Sequence, residues 1–277
     1  MTTDTLTAPA RPGFVPTVLD ALEAKTRLSR TDTARYLVRA GMAGVIIAMM
    51  LVANYLVTVA LTDDAGQGPS VAGKYAGAAI FGLALMFIYY SRSELTTSTM
   101  MVTSVGVYYR RLTPVGALRL LGLCLLGNLL GGALVGILVR FSSMLSPEAL
   151  EVMAHSVDAK LGYLDAGLAG AGDLFVRAIF CNVLINLAML LVYKGALRSE
   201  GGKILTLWSA VFLFVVMGTE HSVANSVLYL MTGLHIGIDA MAAITAVMIA
   251  LAGNLVGGGL VVGATYAWLN DRRGLAD

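Results

Sequence analysis

Charge is scarce in this chain. Only 13% of its 277 residues are Asp, Glu, Lys or Arg and 57% are hydrophobic, against about a quarter charged in an ordinary soluble domain. A soluble fold of that composition could not cover its surface, so an integral membrane protein with nearly all residues in one domain is expected. Cysteine is almost missing: Cys124 and Cys181 both lie inside apolar runs, which argues against a disulfide framework and leaves them as packing residues. With three histidines and neither HExxH nor CxxC, a metalloenzyme is not expected, and no metal, cofactor or nucleic-acid partner is called for. None of the six prolines follows an asparagine, so the Asn-Pro-Ala signature of a water or glycerol facilitator is absent. Neither a paired nucleophile and base nor two Asp within spans is visible, which removes an intramembrane protease.

What the chain does have is long apolar runs. A bilayer core of about 30 Å needs roughly 20 such residues in a helix. Six candidates emerge, at 38–62, 72–109 (interrupted), 115–141, 173–195, 204–233 (interrupted) and 239–269. Basic residues alternate between the connections. Arg11, Lys25, Arg27, Arg30 and Arg35 precede the first run. Arg110 and Arg111 follow the second, Lys194, Arg198 and Lys203 the fourth, and Arg272 and Arg273 close the chain. The other connections hold Asp63, Asp64, Glu148, Glu151, Asp158 and Asp165, with Lys74 and Lys160. Six spans in a cell (inner) membrane with both termini cytoplasmic follow. The expected division is a cytoplasmic segment at 1–37, a channel domain at 38–270 and a cytoplasmic tail at 271–277. The first 35 residues lack the apolar core of a signal peptide, so no cleaved leader is expected. Within them Val18, Leu19 and Leu22 suit either a short helix lying on the membrane surface or one turn in a solvated tail.

Runs two and five carry polar interruptions, "SRSELTTST" after Tyr90 and "GTEHSVANS" after Met217. Irregular backbone is tolerated at membrane depth only where it is buried in protein or lines a cavity. Glu94 and Glu220 are 126 positions apart, and so are the starts of "GNLLGGALVG" at Gly127 and "GNLVGGGLVVG" at Gly253. Two landmarks with one offset imply that spans one to three and four to six are copies. An odd number of spans per copy forces them into opposite orientations, an inverted repeat with paired broken helices around a central path. Gly127, Gly131, Gly253 and Gly257 read as close-packing positions. Asn128 and Asn254 read as side chains that hydrogen-bond the broken backbone across helices. A purely structural membrane protein would not need both interruptions.

The motifs "SELTTST", "EHSVAN", "GNLLGGALVG" and "GNLVGGGLVVG", in that order from about 38 to 269, resemble the formate/nitrite transporter family of formate, nitrite and hydrosulfide channels. The resemblance implies an all-α membrane protein of six helices in two inverted three-helix repeats, an aquaporin-like protomer with its own pore in a homopentamer. It implies passage of small monovalent anions (nitrite, formate) with protons, hydrosulfide or lactate and acetate being alternatives of the same fold. It makes His221 the central pore histidine, Phe81 and Phe214 the outer constriction, and Leu85 and Leu95 the inner one. Thr97 is the threonine that bonds towards the histidine and Asn182 the fourth-helix asparagine near the pore. Glu220 is expected to brace the break. Two departures stand out. Thr96 replaces the phenylalanine usual in formate channels, so a wider inner gate is expected there. Ala166 occupies the ungapped place of an outer lysine, with Lys160 and Arg177 nearby. Two mechanisms are open: His221 relays a proton to the anion, or it stays neutral as a hydrogen-bond donor.

Overall fold

The computed structural model describes residues 13–61 and 70–271; Arg11, Asp63, Asp64, Arg272 and Arg273, used in the charge reading, lie outside them. Within these residues the chain is helical throughout: α1 Phe14–Thr31, α2 Thr33–Ala60, α3 Val71–Tyr90, α4 Thr96–Tyr108, α5 Pro114–Arg140, α6 Pro147–Leu161, α7 Gly167–Tyr193, α8 Glu200–Val216, α9 Ser222–Ile236, α10 Ala240–Asn254 and α11 Thr265–Leu269. A short 3₁₀ turn at Gly162–Ala166 joins α6 to α7, and a π-helical stretch at Leu255–Ala264 joins α10 to α11. Five helical stretches are long and apolar enough to cross a membrane: Thr33–Ala60, Val71–Tyr90, Pro114–Arg140, Pro147–Tyr193 and Ala240–Leu269. Neither α8 nor α9 reaches that length alone.

The starts follow local chemistry. Ser70, Thr113, Ser146 and Ser199 each accept a hydrogen bond from the third backbone N–H beyond them, and Pro114 and Pro147 take the first turn, where an N–H has no helical partner anyway. Helices α2 and α5 then approach through glycine. A Cβ on Gly131 would lie 1.8 Å from the Gly41 carbonyl oxygen, and one on Gly44 1.9 Å from that of Asn128. At the equivalent crossing of α7 with the π stretch, a Cβ on Gly257 would lie 2.2 Å from the Ile179 carbonyl oxygen. Only small residues admit backbones this close.

Two elements go beyond the sequence reading. α1 is a full helix of 18 residues, and its apolar face of Phe14, Val18 and Leu22 is buried in protein rather than against lipid. It docks on α2 and α4, Leu22 fitting where only Gly106 leaves room, and Phe14 meets Tyr266 edge-on at 6.4 Å. The connection after α5 holds a second docked helix, α6, which buries Ala149, Met153 and Val157 against α2 and α9. One shorter docked helix thus precedes α2 and another precedes α7.

The π stretch has a cause in the sequence. "GNLLGGALVG" has ten residues from Gly127 to Gly136, whereas "GNLVGGGLVVG" takes eleven from Gly253 to Gly263. An extra residue in an α-helix would rotate all that follows by about 100°; a wider turn absorbs it in place. Gly136 therefore still faces α9, at Met231 and Leu234, and Gly263 still faces α4, at Met101 and Ser104.

Candidate functional site

Between Tyr90 and Thr96, and again between Val216 and Ser222, the helix stops and the chain runs irregularly through the core. A left-handed residue turns each segment, Arg92 with φ 56° and Gly218 with φ 62°. An arginine from the neighbouring helix holds the carbonyl of each. Arg39 donates to Arg92 O at 2.7 Å and Arg177 to Gly218 O at 3.0 Å. One asparagine then satisfies each break. Asn128 Nδ2 donates to the carbonyls of Ala40 and Glu94, both at 2.8 Å, while its Oδ1 accepts from Thr96 N–H. Asn254 Nδ2 donates to the carbonyls of Ala178 and Glu220, at 2.7 and 3.0 Å, and its Oδ1 accepts from Ser222 N–H at 2.9 Å. Buried backbone groups without such partners would each cost about 1–3 kcal/mol.

The glutamates sit on opposite sides of this frame. Glu220, 2% exposed, takes Lys160 Nζ at 2.7 Å and Asn225 Nδ2 at 2.6 Å on one oxygen. That lysine comes from α6. Glu94, equally buried, is held by Lys25 of α1 and by Arg39 at 3.0 Å. Burial opposes the charge on Lys25, but the Glu94 carboxylate outweighs it and raises the ammonium pKa above its ordinary 10.5. The stability that protonated Lys25 contributes is therefore kept below pH 10.5 and is lost as pH rises through its raised pKa.

Between the two breaks lies a narrow apolar cavity of about 20 Å³. Phe81, Leu85, Leu95, Phe214 and His221 all line it. Phe81 and Phe214 meet edge-on with centroids 6.2 Å apart. Phe214 stacks on the His221 ring at 5.7 Å and 20°, closer than the roughly 10 Å of a helix continued to Gly218. The reason is that α8 ends at Val216 and the Gly218 turn folds the chain back. His221 also caps α9: its Nδ1 accepts Ala224 N–H at 3.0 Å. That leaves the ring hydrogen on Nε2, which lies 3.0 Å from Thr97 Oγ1 at the head of α4. This hydrogen bond joins the two half-helices.

Other residues singled out from sequence stand behind the cavity. Asn182 Nδ2 donates to the carbonyls of Thr97 at 3.2 Å and Asn254 at 2.7 Å. Thr96 turns away from it. Its hydroxyl donates to Asn128 Oδ1 at 2.8 Å and its side chain is not in the cavity wall, so the structure does not bring it into the constriction. Sequence reasoning missed Ile47, Ile88, Ile185 and Val211 in the wall, all in runs too uniformly apolar to single them out, and Ala224 beside the polar residues of the second interruption. It missed Asn186 as well, which donates to Thr97 O at 3.2 Å and stands four residues after Asn182, one helical turn on. A second cavity of about 210 Å³ adjoins the first on the α1 side, sharing Leu85, Ile88 and Leu95. Among the described residues, no cluster of three His, Cys, Asp or Glu could hold a metal ion.

Comparison with known proteins agrees with this architecture. A family model described as formate/nitrite transporter matches residues 14–268. The nitrite transporter NirC of Salmonella typhimurium is 31% identical over 205 residues, covering 73% of this chain and 70% of that one. Among solved structures, an FNT family ion channel superposes with a TM-score of 0.80 at 23% identity, over 93% of this chain and 99% of its own. A pentameric formate channel with formate bound gives 0.65 at 23% identity, over 85% and 96%.

Proposed function

The chain belongs to the formate/nitrite transporter family, and from that membership we propose that it is a transmembrane conduit for small monovalent weak-acid anions, nitrite and formate. Its relatives are transporters and channels, not enzymes. In this reading α2, α3 with α4, α5, α7, α8 with α9, and α10 with α11 make six crossings as two inverted repeats. Both termini lie in the cytoplasm, residues 1–37 and 271–277 flank the channel domain, and five protomers assemble with one pore each. The mirrored asparagine braces and the formate channel neighbour support it.

The observation that carries the mechanism is the His221 ring, set in a dry constriction with Nδ1 already occupied. A bare anion crossing the Phe81, Phe214 and Leu85 side chains would lose its water at a cost of several kcal/mol. A neutral acid would not. The proton could come from an imidazolium, at about 2.6 pK units or roughly 3.5 kcal/mol in water from reference values. Forming that imidazolium, however, puts a hydrogen on Nδ1 against Ala224 N–H and discards a cap worth about 1 kcal/mol. It also places a cation between the positive ends of α4 and α9. The geometry favours the neutral reading: the acid forms from water in a mouth, and His221 Nε2–H, with Thr97, offers a hydrogen bond as it passes.

Proteoliposome flux tests this. Nitrite and formate should pass, faster at acidic pH where the acid is commoner, and glycerol should not. Glycerol flux equal to formate flux, or none of either anion, would overturn the assignment.

A further inference from the structure

The two mouths are built on one plan but carry different charge. On the α6 side the cations are matched: Lys160 is bound to Glu220 and Arg177 to Asp173, at 2.7 and 3.0 Å. On the α1 side, Lys25 and Arg39 share the single carboxylate of Glu94, and a third cation, Arg92, lines the same 210 Å³ cavity. Three cations face one carboxylate there, and among the described residues Arg92 has no ion pair. Part of that asymmetry sits at one position, for the residue 126 places after Arg92 is Gly218. Both adopt a left-handed backbone, which glycine tolerates and arginine adopts at some cost. The Arg39 hydrogen bond to the Arg92 carbonyl holds that backbone conformation, so the frame sets the point at the rim from which the side chain leaves the chain.

We infer that Arg92 is a specificity-determining residue that makes the α1-side mouth an anion-concentrating antechamber, so that small monovalent anions half-saturate the conduit at lower concentration from that side than from the other. The occupant must be small and singly charged. The cavity opens onto a constriction of about 20 Å³ and supplies hydrogen-bond donors from guanidinium and ammonium groups, with Glu94 as its one acidic side chain. A divalent anion would be drawn by the same cations but would lose far more hydration at the apolar constriction beyond. One unpaired cation at about 4 Å in bulk water is worth about 1 kcal/mol, close to a fivefold rise in local anion concentration. This rests on the anion-conduit reading above. Because passive transport equalises the two directions at low concentration, the asymmetry shows in half-saturation rather than in low-concentration rate.

The test is zero-trans formate flux in liposomes of known orientation, sorted by a protease-accessible tag at the N-terminus. Wild type should half-saturate at about fivefold lower formate from the α1 side. Arg92→Gly, which copies the residue at 218 and suits the positive φ, removes one of the two excess cations and should narrow the difference severalfold, and Arg92→Lys should restore most of it. About 1 M of an impermeant salt should abolish it in wild type by screening. Equal half-saturation from both sides in wild type, or an unchanged ratio in Arg92→Gly, would overturn the inference. No formate flux from either side would sink the conduit reading itself, an outcome distinct from flux without asymmetry.

Discussion

Residues 33–140 and 167–269 solve one problem twice and then diverge at a few positions. In each half an asparagine braces the break, an arginine holds the left-handed turn, a lysine from a preceding short helix pairs with the glutamate, and glycine lets the bracing helix close in. What differs is what fills the equivalent places. Leu95 heads the first half where His221 heads the second, and, counted from the Ala40 and Ala178 carbonyls that the two asparagines hold, Gly44 stands where Asn182 reaches the Thr97 carbonyl. The shared parts are those that a helix interrupted in a nonpolar medium cannot do without. The chemistry sits where the halves disagree.

The largest effect should come from breaking the ion pairs, because that separates the two mouths. Removing one partner of a buried pair costs about 3–5 kcal/mol. Glu94→Ala takes the carboxylate from two cations, Lys25 and Arg39, of which Arg39 keeps the Arg92 carbonyl, whereas Glu220→Ala takes it from one cation, Lys160, and from the Asn225 amide. Glu94→Ala should therefore lower the thermal midpoint of the detergent-solubilised protein more. The reverse order would mean that α1 is held by its apolar face rather than by Lys25.

Asparagine replacement should come next and should not discriminate between halves. Asn128→Leu and Asn254→Leu each leave one carbonyl and one N–H of the break without a partner, at about 1–3 kcal/mol per group before water rescues any of them, and Asn128→Leu also frees the Thr96 hydroxyl. Comparable losses of monodisperse protein are expected by size exclusion. A large loss in one variant and none in the other would show that the two braces are not equivalent.

Much of this frame was legible before any coordinates. The interruptions announce themselves because "SRSELTTST" and "GTEHSVANS" are polar inside apolar runs, and the 126-residue offset pairs them. The asparagines follow, since a broken backbone needs partners. The short helices were harder. α6 buries only Ala149, Met153 and Val157, a pattern that a solvated loop also permits, and nothing local says that Lys160 on it reaches Glu220. The Phe214–His221 stack is not legible because seven positions along a helix would hold the two rings apart, whereas α8 ends at Val216 and the chain folds back. Thr96 was misplaced for a related reason: the pattern gives its position in the loop but not which way its hydroxyl turns.

Making the halves alike at their heads tests where the chemistry lies. His221→Leu copies Leu95 and removes both the α9 cap and the Nε2 donor. His221→Asn keeps an acceptor for Ala224 N–H and loses only the ring. Under the neutral-histidine reading, His221→Asn should slow formate flux about fivefold, the size of one hydrogen bond of roughly 1 kcal/mol, and should keep its dependence on pH. His221→Leu should slow it further and lower the thermal midpoint as well. Complete loss of pH-dependent flux in His221→Asn, with the oligomer intact, would return the proton relay to favour.

The smallest effect is expected at Thr96, where the two readings of one residue part most cleanly. The equivalent residue in the second half is Ser222, whose N–H meets Asn254 as that of Thr96 meets Asn128. Thr96→Ser keeps the hydroxyl that donates to Asn128 and deletes one buried methyl, worth about 0.8 kcal/mol of burial. If Thr96 belongs to the frame, that small loss of stability is the whole effect, and the ratio of acetate to formate flux stays at its wild-type value. If it belongs to the inner gate, a smaller side chain beside Leu95 widens the opening and acetate gains on formate, since one methylene in an apolar passage discriminates by about 1–3 kcal/mol. The hydroxyl already bound to Asn128 sets the expectation: the ratio does not move, and a severalfold rise in acetate passage would place Thr96 back in the pore wall.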